Sequence, residues 1–313
     1  MSLPLYRAMV FFEGTEKKLE IIFNGPIAGF RRQPDWDRIV QESGAAVLNR
    51  ISSEEMDAYL LSESSLFVWS DRLLLITCGR TTPVSVVPLV LEAAGQDRLS
   101  RVFFERKNPQ LPMAQPTGFD DDVARLQAYF NGKSTRLGSP HRDHIHLFWT
   151  PEEAPLRDPD ITFQVLMHDL DPSIAEFFFS GTASTSRSSV LGRLRKLHPF
   201  QVIDEYFFSP QGYSLNAIDG GLYFTVHITP QASGSYASYE SNAPRVDFDR
   251  IMSELQAIFR PYRFSSMLTT NSAGGAEKLH ERLAAVSALL PLEESVHAVL
   301  DAHYRTTFMN FRG

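Results

Sequence analysis

The stretch Ala58-Tyr59-Leu60-Leu61-Ser62-Glu63-Ser64-Ser65-Leu66-Phe67-Val68-Trp69-Ser70-Asp71-Arg72-Leu73-Leu74-Leu75-Ile76-Thr77 decides how this chain folds. It holds three apolar runs, Ala58–Leu61, Leu66–Trp69 and Leu73–Thr77, with only a few residues between them. Gaps that short leave no room for a crossover helix, so the runs read as antiparallel strands joined by tight turns. Outward from this stretch, Ala45–Arg50, Arg101–Glu105, His144–Trp149, Thr162–Met167, Leu222–Ile228 and Ser235–Tyr239 also read as strands. Asp219-Gly220-Gly221, just before one of them, reads as a hairpin turn rather than a phosphate loop. Helical spacing appears in Phe119–Phe130 and in Asp247–Phe259, where Phe248, Ile251, Met252, Leu255 and Phe259 share a face. Thr82-Pro83 reads as a cap and first-turn proline opening a helix through Leu91. Strands outnumber helices, which favours an α+β fold of antiparallel sheets, each with helices on one face. Ser180–Ser189 (SGTASTSRSS) reads as flexible, and no internal repeat is evident.

With 313 residues the chain has room for one large domain or two small ones. Its 43% hydrophobic and 21% charged content is that of a soluble globular protein. No apolar run reaches the roughly 18 residues of a membrane span. No charged n-region precedes an apolar h-region, so a cytoplasmic location is expected. The lone cysteine, Cys78, excludes an internal disulfide framework and a multi-cysteine zinc site. A net charge of −7 without a basic stripe argues against a nucleic-acid partner. Arg193, Arg195 and Lys196 read as a solvated loop. His144 and His146 would share a strand face near His141, but no third carboxylate or thiol has useful spacing, so no metal is expected.

Chemistry enters at Ser64. Read alone, a serine between two strands is a turn residue. A strained peptide before serine has a second fate. The hydroxyl attacks the preceding carbonyl, the resulting ester loses the serine α-proton by elimination, and the dehydroalanine hydrolyses to a pyruvoyl group. A ketone at a new N-terminus forms a Schiff base and withdraws electrons, as pyridoxal phosphate does.

Five motifs bear on that choice. They are Phe11-Phe12-Glu13-Gly14-Thr15-Glu16-Lys17-Lys18-Leu19-Glu20, Leu61-Ser62-Glu63-Ser64-Ser65, Thr77-Cys78-Gly79, Gly212-Tyr213-Ser214-Leu215-Asn216 and His227-Ile228-Thr229-Pro230, with Ser235–Glu240 just behind. In content and order they resemble eukaryotic-type S-adenosylmethionine decarboxylases. The likeness runs from about Phe11 to about Phe264, and the remainder matches loosely.

The resemblance implies a four-layer αββα sandwich and a single domain over residues 1–313, self-cleaved into 1–63 and 64–313. It implies a pyruvoyl group made from Ser64, no metal, and S-adenosylmethionine as substrate, decarboxylated to the aminopropyl donor for spermidine synthesis. His227 would remove the ester α-proton, its near-neutral pKa suiting the task, and Ser214 would assist self-processing. Cys78 would protonate the product carbanion, although a lone cysteine is ordinarily a small buried hydrophobe. Glu13 and Glu16 would attract the substrate's sulfonium and ammonium charges. Phe12 and Phe208 would sandwich the adenine, with backbone groups of Leu61 and Glu63 holding its edge. Active units would be monomers or homodimers.

Two departures stand out. Where the family carries a glutamate for the ribose hydroxyls, this chain has Gln231, which loses the charge assistance. An acidic site that binds putrescine in animal members keeps Glu20, Asp160 and Glu240, while Ile76 replaces a lysine and Gln164 a glutamate. Putrescine activation is therefore not expected. Two rivals remain: a pyruvoyl-dependent decarboxylase of free ornithine or arginine, and a non-catalytic regulatory paralogue.

Overall fold

A computed structural model describes residues 11–151, 158–179, 185–209, 211–286 and 290–313. The first half forms β1 (Lys17–Phe23), β2 (Val47–Ser52), β3 (Met56–Leu61), β4 (Ser64–Trp69), β5 (Arg72–Thr77), β6 (Leu99–Lys107), β7 (Lys133–Leu137) and β8 (Ile145–Trp149). The second half forms β9 (Ile161–His168), β10 (Val202–Phe207), β11 (Tyr213–Asp219), β12 (Leu222–Thr229), β13 (Tyr236–Ser241), β14 (Arg263–Asn271), β15 (Leu292–Val299) and β16 (Tyr304–Arg312). Each half is one antiparallel sheet. Their orders are β2-β3-β4-β5-β1-β6-β8-β7 and β10-β11-β12-β13-β9-β14-β16-β15. Strand for strand these are the same topology, so the fold contains the repeat that the sequence conceals. Any apolar residue facing the correct layer satisfies such a strand, so side chains diverge while the path of the chain persists.

Side-chain alternation builds the layers. On β5, Leu73 and Leu75 face outward and join Trp36 and Val40 of α1 (Trp36–Glu42), Val90 of α2 (Val87–Ala94) and Leu126 of α3 (Phe119–Gln127). Leu74 and Ile76 face inward and meet Ile218 and Tyr223 of the other sheet. The second sheet covers its outer face with α4 (Pro172–Phe179), α5 (Thr185–Leu194), α6 (Phe248–Phe259) and α7 (Glu277–Ala284). The result is the expected αββα sandwich.

Several local readings shift. Thr82 provides no side-chain cap: Pro83–Val86 forms a 3-10 turn, and α2 starts only at Val87. The first expected strand runs Val47–Ser52 rather than Ala45–Arg50. Of the segment read as flexible, residues 180–184 lie outside the described residues, and residues 185–189 belong to α5. Arg193 lies on α5 and pairs with Glu254, whereas Arg195, paired with Glu205, and Lys196 sit exposed in the turn that follows, so the loop reading holds for those two and not for Arg193. The hairpin at Gly220-Gly221 is as read.

Candidate active site

The hairpin β3–β4 turns on Ser62 and Glu63, with Leu61 opposite Ser64. Ser64 has φ +111°. Among the described residues the other non-glycine positive φ values are 55° at Asp169 and 44° at Arg260, both near the left-handed helical region. Ser64 lies well beyond it, where a side chain costs about 1–3 kcal/mol. The strain is concentrated at one peptide, between Glu63 and Ser64.

The carbonyl of that peptide is held. The Cys78 amide donates to the Glu63 oxygen at 3.1 Å. Cys78 itself is fixed by its loop: Thr81 Oγ1 donates to its carbonyl at 2.8 Å, and the buried Lys17 Nζ donates to the carbonyls of Gly79 (3.0 Å) and Thr81 (2.8 Å). The Ser64 hydroxyl lies 3.6 Å from Cys78 Sγ. Burial, and then the nearby Glu63 carboxylate, push the thiol well above its ordinary range, so it keeps its proton. Burial also raises Glu63, to about 7.

Ser214 and His227 face each other across β11 and β12. His227 Nδ1 lies 2.8 Å from Ser214 Oγ, and Nε2 lies 2.8 Å from Thr225 Oγ1 and 3.3 Å from Ser65 Oγ. Burial drives this histidine down to about 3. The expectation of a near-neutral value is therefore corrected: hydroxyls surround the ring, and they do not sustain its positive charge. It is a neutral base at physiological pH.

A cavity of about 410 Å³ joins these groups. Ser64, Cys78, Ser214 and His227 line it, with Glu63, Phe12 and Phe208. Phe12 explains Gly79: a Cβ there would lie 3.0 Å from the Phe12 ring, at a φ of +64°. Other expected residues stand outside the lining. Leu61 is fully buried in β3. Gln231 is buried, and its amide donates to the Phe12 carbonyl at 3.0 Å. Glu13 is buried in the segment leading into β1 and ties it to the loop at Leu111, accepting from Thr15 Oγ1 (2.8 Å) and the Leu111 amide (2.9 Å). Glu16 is half-buried and accepts from Ser238 Oγ at 2.6 Å. Burial lifts its carboxyl to about 8, so at neutral pH it carries a proton rather than the anionic charge expected of it.

Comparison with known proteins identifies the family. The adenosylmethionine decarboxylase family model matches residues 9–312, farther than the motifs reach. This chain belongs to the adenosylmethionine decarboxylase family. It is 34% identical to the S-adenosylmethionine decarboxylase proenzyme of Xenopus laevis, over 84% of each chain. The Drosophila melanogaster proenzyme is 33% identical, over 87% of this chain and 86% of that one. The Dictyostelium discoideum proenzyme is 32% identical, over 82% and 74%. In fold, the crystal structure of the Trypanosoma brucei AdoMetDC-delta26 monomer is similar, with a TM-score of 0.62 at 22% identity, covering 79% of this chain and 98% of that one.

This decarboxylase-family chain carries a second charged group between its sheets. Lys18 Nζ pairs with Glu240 at 3.0 Å and Glu105 at 3.5 Å, all nearly inaccessible. Arg72 pairs with Asp160 at 2.8 Å and Glu20 at 3.4 Å. Gln164, at the position of the lost glutamate, donates to Glu105 at 2.7 Å. Burial opposes the Lys18 charge, but Glu105 and Glu240 outweigh it and raise its pKa. The loss of a lysine at Ile76 was legible in the sequence, but the cation supplied by Lys18, its cross-strand neighbour, was missed. The signal was present: on a strand Glu16, Lys18 and Glu20 share one face. Ser65, Asn216 and Thr225, which surround His227, were also missed, since serine, threonine and asparagine carry no marker of function by themselves.

Two histidines of the H-x-x-H-x-H run, His144 and His146, make local packing and backbone contacts. His146 stacks on Phe119 with centroids 4.7 Å apart, and His144 Nδ1 contacts the Arg142 carbonyl at 2.8 Å. Among the described residues no helix is long and apolar enough to cross a membrane.

Proposed function

We propose that this chain cuts itself between Glu63 and Ser64 and then, as a chain of residues 1–63 and a pyruvoyl-bearing chain of residues 64–313, decarboxylates S-adenosylmethionine in the cytosol. One observation carries the reading: the strained Ser64 follows a carbonyl that already accepts the Cys78 amide. Ser64 Oγ attacks the Glu63 carbonyl carbon, and the Cys78 amide faces the oxygen on which negative charge develops. The C–N bond breaks and an ester forms. Loss of the residue-64 α-proton then expels Glu63 as a carboxylate, and water converts the dehydroalanine to a ketone with release of ammonia.

The ketone supplies an electron sink for the pair left when carbon dioxide departs. The chain's own residues do the rest. Phe12 and Phe208, both in the cavity lining, stack on the adenine. The protonated Cys78 thiol donates to the product carbon. A sulfonium arriving near Glu16 favours loss of its proton and so creates the complementary charge on binding.

Putrescine is not required in this reading. Lys18 and Arg72 already place a cation against each set of carboxylates that a diamine would bridge. The decisive measurement is intact mass after expression, paired with release of labelled carbon dioxide from S-adenosylmethionine, ornithine and arginine. Two fragments parting at Glu63–Ser64 and release from S-adenosylmethionine alone are expected. An uncut, active chain refutes the proposal.

A further inference from the structure

The groups around His227 determine which of its nitrogens holds a proton. Asn216 is fully buried, and its side chain spans two environments. On one side lies the Tyr59 backbone carbonyl at 3.3 Å, which only accepts. The amide nitrogen must face it, so Oδ1 faces the other way, toward Ser65 Oγ (2.7 Å) and Thr225 Oγ1 (2.9 Å). Ser65 donates its only proton there. Thr225 also has one proton and three neighbours: Asn216 Oδ1, the Leu215 carbonyl at 3.0 Å, and His227 Nε2 at 2.8 Å. Pointing that proton at Nε2 would leave bare oxygen facing bare oxygen at both 2.9 and 3.0 Å. Pointing it at either acceptor removes one of those contacts and leaves a lone pair for an Nε2 proton. In a site this buried, each unmatched acceptor contact is unfavourable, so the arrangement with fewer of them prevails.

We propose that Asn216, acting through Thr225, holds His227 in its Nε2–H tautomer, so that Nδ1 receives the proton in self-cleavage. This rests on the self-cleavage reading and assigns roles that reading does not contain. Nδ1 faces the Ser214 hydroxyl, which therefore donates to it at 2.8 Å. In the elimination step the proton leaves Cα of residue 64. Its electron pair becomes the Cα–Cβ double bond while the Cβ–Oγ bond breaks. Ser214 takes that proton as it passes its own to Nδ1, and the imidazolium charge is matched by the departing Glu63 carboxylate. Asn216 and Thr225 are positioning residues here, since neither touches the reacting atoms.

The test uses full-length Ser64→Ala proenzyme, which has no hydroxyl with which to cleave, labelled with nitrogen-15 at histidine. Loss of one signal pair in a His227→Gln variant assigns the ring. We expect a bare Nδ1 and a protonated Nε2 at neutral pH, and a mixed or inverted tautomer when Thr225→Val is added. In the cleavable chain, Thr225→Val and Asn216→Leu should slow fragment formation by about 10²-fold or more. Thr225→Ser, which keeps the hydroxyl, should restore most of that rate. A protonated Nδ1 in the Ser64→Ala proenzyme overturns the proposal, and so does a Thr225→Val chain that cleaves at the wild-type rate. If Thr225→Val fails to fold, the Ser64→Ala spectrum, which needs no change at Thr225, still decides. A wild-type chain that never cleaves removes the self-cleavage reading as well, whereas a protonated Nδ1 in a chain that cleaves normally removes only this inference.

Discussion

The Cys78 amide donates to the Glu63 carbonyl at 3.1 Å, while the Cys78 thiol lies 3.6 Å from the Ser64 hydroxyl. One residue thus presents two different groups to the same peptide. The amide belongs to the backbone and survives any substitution of the side chain; the thiol does not. Cys78→Ala should therefore still self-cleave, while decarboxylation by the processed enzyme falls by about 10²-fold or more through loss of its proton donor. Fragment formation on a denaturing gel and labelled carbon dioxide release report the two separately. A Cys78→Ala chain that stays whole would show that the thiol, not the amide, serves the cut.

Strain at Ser64 predicts a difference between two inert variants. Neither Ser64→Ala nor Ser64→Gly has the hydroxyl for attack, so both should remain single chains. Only glycine accepts a φ of +111° without a Cβ penalty. Relief of about 1–3 kcal/mol exceeds the roughly 0.5–1 kcal/mol entropic cost of glycine, leaving Ser64→Gly the more stable by about 1 kcal/mol. Denaturant midpoints at equal slope would measure this. Equal midpoints would mean that the hairpin is not strained.

Lys18 sits among Glu105, Glu240 and, farther along, Glu20. Lys18→Met removes the cation and leaves buried carboxylates without it, at a cost of about 3–5 kcal/mol. The wild-type enzyme should respond to added putrescine by less than about twofold. In Lys18→Met, putrescine should raise both the melting temperature and the turnover, because a free diamine then supplies the missing charge by mass action. Several-fold activation of the wild type would refute this account of the cluster.

Glu16 links pH to stability. Its carboxyl rises from 4.5 to about 8 on folding, chiefly through burial. Across that window the folded chain keeps a proton that the unfolded chain releases. Stability is therefore fully present below the window and declines as pH rises through it, by up to about 1.4 kcal/mol per pH unit for one proton. In the uncleavable Ser64→Ala background, Glu16→Gln should flatten this decline. Urea unfolding on both sides of the window measures it, and an unchanged slope would place the retained proton on another group.

Much of the site was legible because its parts are local. Glu63 in the β3–β4 turn, Ser64 at the start of β4 and Cys78 just after β5 belong to one meander, and the two-residue turn between apolar runs fixes the strand register without help from the rest of the chain. β1 was not legible as a strand, because Lys17, Lys18 and Glu20 interrupt its apolar pattern and charged residues are rarely buried. β14 and β16 escaped notice for a related reason: Thr269, Thr270, Thr306 and Thr307 blur their alternation.

The order of strands around Ser64, the identity of the lone thiol and the family itself were determined by sequence alone, since tight turns and short motifs act over a few residues. The protonation of His227 and Glu16, the pairing of Lys18 with carboxylates more than eighty residues away, and the match between the two halves were decided only when the sheets came face to face. Those properties depend on desolvation and on which charges share an interior, and neither exists until the chain has closed over them.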